Sequence, residues 1–167
     1  MEIQLLTKDH DRNGFDCGNS DLNNFLKKTA RQAADKNLSR TFVLTDGETN
    51  TIYGFVSITP CSVNIEDVPE KQRKKYPPQH GLPAIRLARL GVGLEHRRKG
   101  YGELLLTEAM SITAKIAESV GGIGLFVDAK DDAARSFYEK YGFLVTNPAK
   151  PMQLFMPLAT ILASLEG

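Results

Sequence analysis

The chain has 167 residues, with 21 Lys and Arg against 20 Asp and Glu, and a formal net charge of +1. A content of 41% hydrophobic and 25% charged residues is typical of a globular protein and excludes a disordered or fibrous chain. The length predicts one domain over residues 1–167. No apolar run is long enough for a membrane span, and the first ten residues lack the apolar core of a signal peptide. The sequence has two cysteines, which are too few for a disulfide framework or a cysteine metal site. We therefore expect a cytoplasmic protein with no membrane partner and no metal.

Apolar periodicity predicts a mixed α/β fold with elements in the order β-α-β-β-β-α-β-α-β, followed by a short helix. The predicted strands are residues 2–6, 41–44, 52–58, 84–92, 123–127 and 152–156. The predicted helices begin at Asn19 or Ser20, run from Tyr101 to Ala117, run from Asp131 or Asp132 to Lys140, and occupy residues 158–165. Residues 60–83, which contain five prolines, are expected to form a long loop with at most one helical turn.

The charge is unevenly distributed. Between Lys71 and Lys99 there are nine basic residues and one acid, Glu95, so this segment carries +8. The other 138 residues hold 12 bases and 19 acids and carry −7. Seven of the 14 glycines also lie between Gly91 and Gly124. Basic residues and glycines in the same part of one domain indicate an anion site.

The junction between the strand at 84–92 and the following helix reads Arg-Arg-Lys-Gly-Tyr-Gly at residues 97–102. Such a junction presents backbone N–H groups to a phosphate, and the helix dipole and the basic side chains add favourable charge. The segment is neither a Walker A loop nor a complete G-x-G-x-x-G motif. A plain basic loop with a glycine turn is the alternative.

Two motifs resemble those of the GNAT N-acetyltransferases. Arg97-x-x-Gly100-x-Gly102 after the strand LARLGV is similar to their pyrophosphate loop, and DDAARSFYEKYGF at 131–143 is similar to their second conserved helix. The resemblance implies the GNAT fold, a single central mixed sheet flanked by helices, and acetyl-CoA as acetyl donor. It implies a cofactor site formed by Leu90, Gly91, Val92, Arg97, Arg98, Lys99, Gly100, Tyr101, Gly102 and Asp131.

Within this site the resemblance implies that the loop at residues 97–102 binds the CoA pyrophosphate. It implies that Leu90, Gly91 and Val92 bind the pantetheine and acetyl groups. Core packing is the alternative role for Leu90 and Val92. Tyr138 is the implied acid, which would protonate the departing CoA thiolate, and packing within the helix is its alternative role. Asp131 stands where the superfamily usually has Asn, which keeps the helix cap but changes the charge near CoA. Tyr141 is expected in the core.

A narrower resemblance is to the GNAT toxins of bacterial toxin–antitoxin modules, carried by FDCGNSDLNNFL at 15–26, SRTFV at 39–43 and LARLGV. It implies acetylation of the α-amine of aminoacyl-tRNA and a ribbon-helix-helix antitoxin as partner. No histidine stands out as general base among His10, His80 and His96, and His96 is expected to be solvated. An aminoacyl ester amine has a lowered pKa and fits the absence of a base, whereas a lysine-type amine near 10.4 fits it less well.

Basic residues outside the loop are candidates for tRNA phosphates, with a solvated surface as the alternative. They are Lys27, Lys28, Arg31, Lys74, Lys75, Arg86 and Arg89, together with Lys71 and Arg73. Arg86 and Arg89 are three apart in one strand and therefore lie on opposite faces, and we favour Arg89. Two rival functions remain open: a GNAT enzyme for a small amine, an antibiotic or a protein N-terminus, and a CoA-binding module without catalysis. A C-terminal strand and helix beside a sheet edge would suit a homodimer.

Overall fold

The computed structural model describes residues 1–77 and 81–167. Its strands form one seven-stranded sheet in the order β1-β2-β3-β4-β5-β7-β6. The strands are β1 (Glu2–Leu5), β2 (Arg40–Thr45), β3 (Gly54–Val63), β4 (Leu82–Val92), β5 (Gly124–Asp128), β6 (Leu144–Asn147) and β7 (Lys150–Pro157). The α-helices are α1 (Ser20–Asn24), α2 (Ala30–Asp35), α3 (Glu70–Arg73), α4 (Tyr101–Ser119), α5 (Asp132–Lys140) and α6 (Leu158–Glu166). The predicted mixed α/β fold is confirmed.

Two predictions of elements were incomplete. Strand β6 was missed, because a four-residue strand directly after a turn is too short to show a period of two. The predicted loop at 60–83 was also wrong at both ends, since β3 continues to Val63 and β4 begins at Leu82. Pro60 lies inside β3, a position where proline normally argues against a strand. The described part of the loop contains a 3₁₀ turn (Ile65–Asp67) and the predicted helical turn, α3. Pro78 and His80 lie outside the described residues.

One compact unit comprises residues 1–59 and 88–109. Its strands β1, β2 and the first part of β3 are antiparallel, and β2 and β3 form a hairpin around the sequence DGETN. Phe55 is fully buried at the centre of the core, with the ring of Phe15 edge-on at 5.6 Å and that of Phe25 stacked at 6.2 Å. Leu26 and Ala30 are buried in the same cluster and form, with Phe25, the apolar face of the N-terminal helix.

The helix that carries this face is interrupted. A π-helical turn (Phe25–Thr29) separates α1 from α2. The N–H of Ala30 bonds back to the carbonyl of Phe25, and the carbonyl of Lys27 accepts a hydrogen bond from Arg12 Nη1 at 3.1 Å. Asn19 caps the start of α1 by accepting from the N–H of Leu22 at 3.0 Å, as its position predicts. The π turn therefore keeps the apolar face buried while leaving one carbonyl to a side-chain donor.

The other compact unit comprises residues 60–87 and 110–167. Here β4 pairs in parallel with β5, and β5 pairs antiparallel with β7. The rings of Phe126 and Phe155 stack at 4.3 Å in its core. Asp131 caps α5 by accepting from the N–H of Ala134 at 2.8 Å. Among the described residues, no helix combines the length and the apolarity that a membrane crossing requires.

Candidate active site

The C-terminal end of β4 supplies the predicted acetyl-binding stretch, Leu90 to Val92. Gly91 is buried, and a Cβ atom at this position would lie 3.2 Å from Cε1 of Phe55 and 3.3 Å from Sγ of Cys17. Only glycine therefore fits without displacing its neighbours. Leu90 and Val92 alternate with it and are half-buried rather than part of the fully buried core. The strand thus has one face packed tightly on the core and one face with accessible surface.

The loop after β4 has a backbone that suits an anion. It begins with a 3₁₀ turn (Leu94–His96), after which Arg98 and Gly100 have φ angles of +63° and +79°. Left-handed residues in a short loop turn successive N–H groups toward one concave side, which is the geometry of anion-binding nests. A Cβ at Gly100 would meet nothing within 4 Å, so the approach to this loop is open. The basic residues Arg98 and Lys99 are exposed there, and α4 begins at Tyr101.

Arg97 makes a contact that the sequence did not indicate. Its Nη2 donates a hydrogen bond to the carbonyl oxygen of Cys17 at 2.9 Å. Neither the spacing of the loop nor the charge pattern indicates this contact, which joins residues 80 positions apart. Arg98 and Lys99 have no such contact in the described structure. Their charges are therefore the ones available to a phosphate.

His96 is half-buried rather than fully solvated as expected. Its ring lies flat on that of Tyr53, with centroids 4.2 Å apart and planes 2° from parallel, and its Nδ1 is buried without a hydrogen-bond partner among the described residues. Stacking on a neighbouring ring removes imidazole surface from water, which the sequence could not reveal. His10 is also structural, because its Nε2 lies 2.8 Å from Oε1 of Gln4. His80 lies outside the described residues.

The unit with α5 contains the predicted acid. Tyr138 is 6% exposed, with ring edges against Phe137 and Phe143 at 5.3 and 5.4 Å. Burial raises the pKa of Tyr138 well above its ordinary value, so the hydroxyl keeps its proton throughout the physiological range. Asp131 is exposed at the start of the same helix. Tyr141 was predicted in the core, but it is only half-buried because it follows the last turn of α5.

The predicted tRNA-binding residues fall into two sets. In the first unit, the guanidinium carbon of Arg89 lies 4.0 Å from the centroid of the Phe25 ring, and Arg89 is exposed. Lys27 and Lys28 belong to the same π turn as Phe25, and Arg31 follows in α2. The contact between Arg89 and Phe25 therefore places the guanidinium of Arg89 against the π turn that also contains Lys27 and Lys28.

In the second unit, two of the bases have partners. Arg86 forms an ion pair with Asp128 at 2.5 Å, so its charge already has a partner within this unit. Arg73 donates to the carbonyls of Val68 and Glu66, each at 2.9 Å. The remaining basic side chains of this segment are exposed, namely Lys71, Lys74 and Lys75. No cluster of His, Cys, Asp and Glu that could hold a metal occurs in residues 1–77 and 81–167.

The chain is similar to known proteins in both sequence and structure. The profile described as "Acetyltransferase (GNAT) domain" matches residues 37–145. The probable toxin TacT of Sinorhizobium fredii (strain NBRC 101917 / NGR234) is 33% identical over 165 residues, which cover 95% of this chain and 90% of the relative. A tyrosine-to-phenylalanine variant of KacT is 28% identical with a TM-score of 0.92, and AtaT complexed with acetyl-methionyl-tRNAfMet is 26% identical with a TM-score of 0.90; each match covers 98% of both chains. Other neighbours include AtaTR bound with AcCoA and an AtaT variant bound to the C-terminus of the antitoxin AtaR.

The fold and these matches define an enzyme class, the N-acetyltransferases. Within this class, the chain belongs to the family of the Acetyltransferase (GNAT) domain, for which acetyl-CoA is the acetyl donor.

Proposed function

We propose that the chain, as a single domain over residues 1–167, acetylates the α-amine of aminoacyl-tRNA and thereby blocks translation, as a toxin. The observation that carries this proposal is the stacking of Arg89 on Phe25. It places an exposed cation on Phe25, in the π turn to which Lys27 and Lys28 also belong, and one residue before the stretch Leu90 to Val92. A small amine does not need a cationic surface next to the acetyl group, whereas a tRNA phosphate backbone does.

The relatives support the same acceptor. The matched AtaT structure contains acetyl-methionyl-tRNAfMet, and the TacT relative is a probable toxin. Because the antitoxin AtaR binds an AtaT variant, we also propose a ribbon-helix-helix antitoxin as the partner of this chain. Action on charged tRNA would take place in the cytoplasm.

The main chain has the principal role in holding the cofactor. Bound acetyl-CoA supplies an activated acetyl thioester. The N–H groups of the loop from Arg97 to Gly102 and the start of α4 would bind its pyrophosphate, with the exposed side chains of Arg98 and Lys99 adding charge. The backbone of Leu90, Gly91 and Val92 would hold the pantetheine arm, and a peptide N–H there would donate to the thioester oxygen as negative charge develops on it.

Tyr138 would act as the general acid. A thiolate leaves better when protonated, because a free thiol has a pKa of about 8.5. Because burial raises the pKa of Tyr138, its hydroxyl is protonated near neutral pH, as a general acid must be. Asp131 would influence CoA through its charge while its side chain caps α5.

The acceptor amine would arrive neutral. Both ring nitrogens of His10 have hydrogen-bond partners, and Nδ1 of His96 is buried, so none of these three atoms offers an accessible general base. An α-amine on an aminoacyl ester is less basic than a lysine amine, which has a pKa of about 10.4, because the ester withdraws electrons. A substantial fraction of the acceptor is therefore already deprotonated near neutral pH.

The test is direct analysis of the product. Purified protein is incubated with acetyl-CoA and a mixture of charged tRNAs, the ester is hydrolysed, and the released amino acids are analysed by mass spectrometry. We expect N-acetyl amino acids, and no reaction with deacylated tRNA. Arg89→Met should lower kcat/KM for charged tRNA about tenfold, whereas Lys8→Met, which removes an exposed lysine of the same unit, should not.

Two results would contradict the proposal. Faster acetylation of free amino acid esters, spermine or a peptide N-terminus than of charged tRNA would assign the enzyme to small or peptide amines. Tight binding of CoA without transfer to any amine would indicate a binding module. Growth arrest on induction, with acetylated aminoacyl-tRNA recovered from the cells, is the expected result in vivo.

A further inference from the structure

We propose that Arg97 is a positioning residue, which fixes the cofactor loop on the segment Phe15–Gly18 instead of contacting phosphate. This inference rests on the proposed placement of the CoA pyrophosphate at Arg97–Gly102. It assigns a role to the Phe-Asp-Cys-Gly sequence, for which the chemistry described above has no use.

Two hydrogen bonds dock the loop on this segment. The N–H of Leu94 donates to the carbonyl of Asp16 at 2.9 Å, and Nη2 of Arg97 donates to the carbonyl of Cys17 at 2.9 Å. They hold the beginning and the end of the stretch between β4 and the left-handed residue Arg98. A loop held at both ends keeps its N–H groups in one arrangement before the ligand arrives, which lowers the entropic cost of binding.

The segment is itself held rigidly by the start of the N-terminal helix. Oδ1 of Asn23 accepts from the N–H of Cys17 at 3.0 Å, and Nδ2 of Asn23 donates to Oδ1 of Asp16 at 2.9 Å. Oδ1 of Asp16 also accepts from the N–H of Gly18 at 2.8 Å. These bonds, first that from Gly18 and then that from Asn23, lower the pKa of Asp16, so its carboxylate stays ionised and keeps the turn closed.

Gly18 allows the two segments to approach. Its φ angle is +82°, and a Cβ at this position would lie 3.0 Å from Cδ2 of Leu94 and 3.3 Å from Nη2 of Arg97. A side chain here would therefore be strained and would also occupy the space that the docked loop needs.

Cys17 extends the support to the acetyl-binding strand. The residue is 4% exposed, and its Sγ lies 3.3 Å from the Cβ position of Gly91. Its carbonyl holds Arg97 while its side chain packs under the strand, so one residue contacts both parts of the proposed cofactor site. Loss of the docking should consequently weaken CoA binding even when every basic side chain is still present.

The experiment separates positioning from charge with Arg97→Met and Gly18→Ala. The second variant keeps Arg97, Arg98 and Lys99 but disturbs the docking. The dissociation constant of CoA is measured by calorimetry. A hydrogen bond involving a charged group contributes about 10- to 100-fold to an equilibrium constant, and we expect both variants to weaken CoA binding within this range. The double variant should bind no more weakly than the worse single variant, because both remove the same docking.

Amide exchange in the protein without CoA is a second readout. The N–H of Leu94 should exchange at least several-fold faster in both variants, while folding is checked by the melting temperature. Gly47→Ala is the matched control, because Gly47 has nearly the same φ angle, +81°, but a Cβ there would contact only the flexible end of Glu2. It should bind CoA as the parent protein does. These readouts need no acceptor, so they can fail independently of the proposed function.

Three results would overturn the inference. If Gly18→Ala binds CoA as well as Gly47→Ala does while Arg97→Met binds it weakly, Arg97 contacts the phosphates directly. If neither variant changes the affinity, the docking is irrelevant to CoA. If exchange at Leu94 is unchanged in Arg97→Met, this hydrogen bond does not hold the loop. Arg97 is exposed, so Arg97→Met should leave the fold intact. The test therefore stays valid with this variant even if Gly18→Ala is unstable.

Discussion

Replacement of Tyr138 by phenylalanine removes one hydroxyl oxygen and leaves the packing of the ring. The ring has edge contacts with Phe137 and Phe143, and phenylalanine can keep both. We therefore expect the free energy of unfolding to change by no more than about 1.5 kcal/mol. The expected catalytic loss is much larger, because a positioned general acid contributes about 10²- to 10⁴-fold to the rate.

The assay is single-turnover acetyl transfer to charged tRNA, with the dissociation constant of CoA measured in parallel. We expect kcat to fall about 100-fold or more in Tyr138→Phe while CoA affinity stays within about twofold. Tyr141→Phe is the matched control, since it removes a hydroxyl from a half-buried tyrosine three residues later and should leave the rate unchanged. An unchanged rate in Tyr138→Phe, or an equal loss in both variants, would refute the role of Tyr138 as acid.

The pH dependence gives a further check on the same residue. Because burial raises the pKa of Tyr138, loss of its proton should not lower the wild-type rate between about pH 7 and pH 9.5. Over the same range the rate should rise as the acceptor amine loses its proton. For stability, the unfolded chain releases the tyrosine proton above about pH 10 while the folded chain retains it. The free energy of unfolding should thus fall above this pH, and the fall should be smaller in Tyr138→Phe. An alkaline decline in rate centred below pH 9 that disappears in Tyr138→Phe would contradict the assignment.

Three further substitutions test the surface and the fold. Arg89→Met should reduce the slope of log kcat/KM for charged tRNA against log salt by about 0.7 to 0.9, with KM for acetyl-CoA unchanged; an unaltered slope would remove Arg89 from the tRNA surface. Arg86→Met should leave this slope as it is and cost at most about 1 kcal/mol in urea unfolding, because the side chain of Asp128 is 64% exposed. Gly124→Ala should destabilise by about 1–3 kcal/mol or more, since a Cβ there would lie 2.5 Å from Cε1 of Phe155; a midpoint within error of the parent would refute the packing.

Several features of the fold and site could be predicted from the sequence because their causes are local. Asn19 and Asp131 are side chains that cap the helices following them, and both caps form as predicted. The long run at Leu82–Val92 is a central strand because its apolar residues suit a position with neighbours on both sides. The loop at residues 97–102 was predicted to be an anion site from its glycines and its charge, and its left-handed backbone at Arg98 and Gly100 is compatible with that prediction.

Only the tertiary structure determined which group each of three arginine side chains contacts. Arg86, Arg89 and Arg97 are the same residue type within twelve positions, yet one is paired with Asp128, one lies on the Phe25 ring and one holds the carbonyl of Cys17. Each partner comes from a segment distant in sequence, and periodicity carries no information about such contacts. The sequence alone thus indicated which segment is suited to bind an anion, because that depends on local composition. The fold decided which arginine is available to do so, because a side chain's partner depends on which distant segments are brought within a few ångströms of it.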